Sequence, residues 1–209
     1  MSRSAALVER HAALLDRACG IRFVREATDG SLSDGDFARY LLVEEAFVLT
    51  ASRVLGRVVW ESPTWEELLP SARSLSNLVT EQRDYFAGLR HRWPVPDGTA
   101  VLARAAALSD VVLGQVGDAG RPAALTGMLA AETMYARWCT AAAAVPAGRH
   151  PDLQAWIDLH AGETFLGQVT ALRADVDALH PAAVPDDALD RWFGAVLEAE
   201  IAFHDAVHG

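Results

Sequence analysis

Three glutamates interrupt apolar helical stretches of this chain. Glu132 follows Leu125-Thr-Gly-Met-Leu-Ala-Ala and has Tyr135 one turn further on the same face. Glu200 sits in Ala195-Val-Leu-Glu-Ala-Glu-Ile-Ala-Phe, with Phe203 and His204 three and four residues on. Glu44 lies in Tyr40-Leu-Leu-Val-Glu-Glu-Ala-Phe and shares a stripe with Phe37, Tyr40 and Phe47. A carboxylate set among apolar side chains is costly unless it is paired or working. Carboxylates converging from different helices between aromatic walls make a general acid/base site, because burial and mutual repulsion leave one protonated and one ionised. The plainer alternative for each is a surface ion pair or a satisfied core carboxylate.

The elements that must position these residues are helices. The spacing of apolar residues predicts a first helix over Ser4 to Glu26, with Leu7, His11, Leu14, Leu15, Ala18 and Arg22 near one stripe and a stop at Thr28-Asp29-Gly30. Ser33 reads as the N-cap of a second helix reaching Val59. A third follows from Trp65 to Arg92, with a break placed near Pro70, and Trp93-Pro-Val-Pro-Asp-Gly is a loop. Further helices are predicted over Thr99 to Gly117, Ala123 to Ala144, Asp152 to Ala178 and Asp186 to Val207. Seven to eight helices, no strand and short connections describe an all-α multi-helix bundle. No linker or repeat divides residues 1–209, so a single domain is expected.

Composition supports this and narrows the partners. The chain has 209 residues, 51% of them hydrophobic, enough for a sizeable core. A net charge of −10 speaks against nucleic acid or an anionic membrane surface as partner, since both demand clustered Lys and Arg. Two cysteines, Cys19 and Cys139, without CxxC spacing suggest neither a disulfide framework nor structural zinc, which fits a cytoplasmic setting. The charged N-terminus reads as a helix, not a signal peptide, and no later segment reads as a membrane span. Trp60, Trp65, Trp93 and Trp192 are assigned to the core or a subunit contact, and Cys139 to the core.

The ordered motifs resemble the TenA, or thiaminase II, family over nearly the whole chain. Phe23-Val-Arg-Glu-Ala-Thr-Asp-Gly-Ser-Leu with Phe37-Ala-Arg-Tyr resembles the family's opening. Val43-Glu44 and Phe47 stand at its Gln-Asp pair and following aromatic. Ala130-Ala-Glu-Thr-Met-Tyr-Ala-Arg-Trp resembles the TenA-E branch, in which a glutamate replaces the catalytic cysteine. His150-Pro-Asp-Leu-Gln-Ala-Trp-Ile is similar to the family's HP-x-Y-x-x-W-I stretch, and Glu198-Ala-Glu-Ile-Ala-Phe-His-Asp to its closing helix.

The resemblance implies a haem-oxygenase-like bundle, a homodimer or homotetramer, and a thiamin-salvage hydrolase acting on an aminopyrimidine without a cofactor. Glu132 and Glu200 take the catalytic positions, and Glu44, Phe47, Tyr135, His160 and Phe203 the substrate-binding ones. Some positions depart from the family pattern: Glu44 replaces an aspartate, Ala103 to Val112 lacks an aromatic, and His160 and His204 stand where aromatics are usual. Other readings follow. The same bundle hosts iron-dependent oxidases, for which Glu44, Glu81, Glu132, His160, Glu163, Glu200 and His204 are candidate ligands. His11 is a candidate haem ligand, and a non-catalytic binding protein would also account for the changed positions.

Overall fold

The computed structural model describes all 209 residues. It is helical throughout, with no strand: α1 (Arg3–Arg10), α2 (Ala12–Cys19), α3 (Arg22–Asp29), α4 (Asp34–Glu61), α5 (Trp65–Asn77), a π-helical turn (Leu78–Gln82), α6 (Arg83–Arg92), α7 (Thr99–Ala119), α8 (Arg121–Ala143), α9 (Pro151–Ala161), α10 (Glu163–Ala178) and α11 (Asp186–Asp205).

The all-α expectation holds, with more helices than the seven to eight predicted. The first predicted helix is three, interrupted at His11 and at Gly20-Ile21. Leu7, Leu15 and Ala18 are fully buried as the stripe requires, but Arg22, beyond the second break, turns to solvent. The helix predicted over Asp152 to Ala178 divides at Gly162, whose extended backbone starts α10. Pro70 does not break α5: it deprives only the carbonyl of exposed Glu66 of its intrahelical partner. The irregularity comes later, as the π turn. Gly30 ends α3 in the left-handed conformation (φ 80°), where the sequence placed the stop.

The chain forms two compact units, residues 1–33 with 125–201, and residues 34–124 with 202–209. In the first, α1 packs on α10, and α9 on α10. Arg3 donates to the carbonyls of Leu179 and Val184 at 2.5 Å each, fixing the loop before α11, while Asp177 accepts the N–H of Ser4 at 2.7 Å. Arg149 gathers the carbonyls that end α3 and α8: Nε donates to Ala27 at 2.8 Å, and Nη2 to Thr28, Ala142 and Val145.

In the second unit, α4 packs against α5, α6 and α7. Phe37 meets Trp93 edge-on at 4.9 Å, Thr50 donates to Ser109 at 2.8 Å, and Arg90 pairs with Glu45 at 3.2 Å. Contrary to the sequence reading, α7 is long and apolar enough to cross a membrane. One stripe of it serves packing: Val101, Ala105, Leu108, Val112 and Val116 are buried, while Arg104, Asp110 and Asp118 are exposed. The C-terminus is tied down by Arg39, which donates to the Val207 carbonyl at 2.5 Å, and by Arg104, which donates to that of Ala206 at 2.7 Å.

Candidate active site

In the first unit the candidates come from three helices: Glu132 and Tyr135 from α8, His160 from α9, and Glu200 from α11. Glu200 is only 3% exposed, whereas Glu132 is half-buried. Tyr135 is buried, and its ring lies 5.2 Å from that of His160. Two aromatics outside the predicted set complete this cluster, Trp156 at 4.4 Å and Phe165 at 4.7 Å from the imidazole. The i,i+4 spacing of Trp156 and His160 was the available signal for the first; nothing in the pattern marked Phe165.

His160 is tightly defined. Its Nδ1 lies 2.8 Å from the carbonyl of Trp156, one turn back, and burial lowers its pKa from 6.5 to about 4 despite that bond. The ring is therefore neutral at physiological pH, with its proton on Nδ1.

In the second unit, α4 presents half-buried Glu44 and Phe47, and Phe203 lies 5.8 Å from Phe47. His204 is fully buried, stacked on Tyr40 at 5.7 Å and edge-on to Phe203 at 5.6 Å. It occupies an aromatic-sized place in the core. The stripe predicted around Glu44 thus divides: Phe37 and Tyr40 are core, while Phe47 remains partly accessible.

Among the other candidate ligands, Glu81 and Glu163 are exposed. His11, the candidate haem ligand, is engaged by its surroundings: Nε2 lies 3.1 Å from Asp190, the ring packs at 5.2 Å on Phe193, and a Cβ on Gly194 would come within 2.8 Å of it. Arg10, with His11, holds the Asp190 carboxyl below the usual carboxylate range. An open groove of about 450 Å³ in the first unit is lined by Cys19, Arg25, Thr28, Arg137 and Trp138 among others, and none of the predicted site residues reaches it. Cys139 is fully buried and Cys19 partly, both as free thiols.

The sequence profile of the TENA/THI-4/PQQC family matches residues 22–208 of this all-helical chain. The chain belongs to that family. Its fold is that of TenA proteins: a TenA homologue protein from P. horikoshii OT3 is similar with a TM-score of 0.86 at 17% identity, covering 99% of this chain and 98% of that one. A TenA family transcription regulator from Silicibacter sp. TM1040 gives a TM-score of 0.84 at 17% identity, covering 99% and 97%. A chain described as a TenA-like thiaminase from Sulfolobus solfataricus P2 gives 0.73 at 16% identity, covering 97% and 94%. No curated protein matches the sequence.

Proposed function

We propose that this chain is a hydrolase of the TenA-E type that acts on a thiamin-derived aminopyrimidine. The observation that carries the reading is Glu200, a carboxylate 3% exposed on the helix whose sequence resembles the family's closing motif. Glu132, half-buried on α8, stands at the branch's catalytic position. The two carboxylates differ in burial, which suits them to unlike roles. In the proposed step water forms a C–O bond to the substrate carbon while the C–N bond to the departing amine breaks. Glu132 takes the proton from water, and Glu200 supplies one to the amine. Tyr135 and His160 bind the substrate; Glu44, Phe47 and Phe203 are assigned to substrate binding through motif correspondence alone. The site requires no cofactor for this step.

The test is release of amine from an aminomethyl-aminopyrimidine, assayed for the wild type, Glu132→Gln and Glu200→Gln, with thermal midpoints alongside. Both substitutions should abolish turnover and leave the midpoint within a few degrees. A wild type that releases no amine, or variants that unfold, would overturn the assignment.

A further inference from the structure

His160 offers the site one hydrogen-bonding function of defined sign. Its Nδ1 faces the Trp156 carbonyl at 2.8 Å, and a nitrogen so placed must carry the proton, since a carbonyl oxygen only accepts. The other nitrogen, Nε2, is then a bare lone pair. It makes no hydrogen bond within the protein, yet it is not among the polar atoms sealed from solvent. The residual 9% exposure of this residue therefore includes this acceptor. Trp156, Phe165 and Tyr135, with ring centroids at 4.4, 4.7 and 5.2 Å, press on the imidazole from its own helix and its neighbours. A ring flip would put a C–H against the Trp156 carbonyl and forfeit that bond, so Nε2 cannot readily be exchanged for a donor.

We propose that His160 is a specificity-determining residue: its Nε2 accepts an N–H from the ligand and so selects heteroaromatic rings bearing an exocyclic amine over their oxo counterparts. The inference rests on the aminopyrimidine reading above and names the group by which that substrate class is chosen. An amine in this place gains a hydrogen bond. An oxo oxygen would set one lone pair against another, and neither buried acceptor would be satisfied. Burial keeps the ring neutral, and with it the acceptor, at physiological pH.

The experiment compares binding of 4-aminopyrimidine and pyrimidin-4-one to the wild type, His160→Phe and His160→Gln by calorimetry, with a thermal midpoint for each. The wild type should favour the amine by about tenfold, the equivalent of one hydrogen bond of roughly 1.4 kcal/mol. His160→Phe should reduce the preference to near unity. His160→Gln, whose amide can turn to donate or accept, should also lose most of it while preserving a polar group should the Phe variant fold poorly. Nitrogen NMR of histidine-labelled wild type should show Nε2 unprotonated at neutral pH. A preference that survives both substitutions, or a protonated Nε2, would overturn the role of His160 and leave the hydrolase reading standing. A wild type that binds neither ring and releases no amine would overturn both.

Discussion

The carboxylate of Glu61, the last residue of α4, accepts the first main-chain N–H of α8 from Arg121 at 2.5 Å. An acidic side chain thus caps the helix that carries Glu132, where the unpaired N–H groups and the helix dipole favour negative charge. Arg57 holds the same carboxylate at 2.5 Å. The residue before Arg121 is Gly120, at φ +63°, where an added Cβ would fall 2.3 Å from a Glu61 oxygen.

Gly120→Ala should therefore cost about 2 kcal/mol or more, from backbone strain and a displaced cap. Glu61→Gln should cost about 1 kcal/mol. Urea unfolding measures both. Burial alone would raise the Glu61 carboxyl, but the Arg121 N–H and Arg57 hold it below the usual carboxylate range. The cap's contribution is thus complete at neutral pH and is lost as pH falls through the lowered value, so Glu61→Gln should matter least in acid.

Arg149 should prove intolerant of change. One guanidinium serves carbonyls at the ends of two helices, Ala27 and Thr28 of α3 and Ala142 of α8, and also binds Gln154 at 2.8 Å. Arg149→Lys keeps the charge but lacks the planar fork, and should cost about 2 kcal/mol in urea unfolding. A loss below about 0.5 kcal/mol would show that water replaces the clamp.

The sequence announced these helices wherever a strong terminator closes a periodic stretch. Gly30 and the loop beginning at Trp93 both stop helices where expected, and Asp186-Asp187 opens α11. It concealed the breaks at His11 and Gly162, because apolar periodicity continues across both. Of the site, Glu200 was legible as a charge in an apolar run, and it is buried. The state of His160 was not legible. It depends on Phe165, which reaches it from the start of the next helix, and on a burial that no i,i+4 rule reports.

Two tryptophans assigned from sequence to a core or a subunit contact are the most exposed large aromatics of the chain: Trp60 at 83% and Trp65 at 71%. Leu69, one turn beyond Trp65, is also exposed, and α5 buries none of its residues. A contiguous exposed apolar patch marks an association surface, and we propose that Trp60, Trp65 and Leu69, which lie within ten residues of one another, form one that serves the homo-oligomer implied by family resemblance. Trp65→Glu should lower the mass measured by light scattering by at least half, while the helical circular dichroism stays unchanged. An unaltered mass would assign these tryptophans elsewhere.

Acid should reveal the burial of His160. In the unfolded chain its imidazole takes a proton near pH 6.5, whereas in the folded protein burial lowers this to about 4. Above pH 6.5 both states are neutral there and stability is unaffected. As pH falls from 6.5 towards 4 the unfolded state binds a proton that the folded state refuses, so stability declines. The loss should reach about 2 kcal/mol at pH 5 and about 3 kcal/mol below pH 4. His160→Phe removes this titration from both states. Its stability measured by urea should therefore decline less than the wild type's between pH 7 and pH 5, even though it begins lower through poorer packing among Trp156, Phe165 and Tyr135. Parallel decline of the two proteins would mean that other groups govern the acid limb and that His160 titrates near its ordinary value.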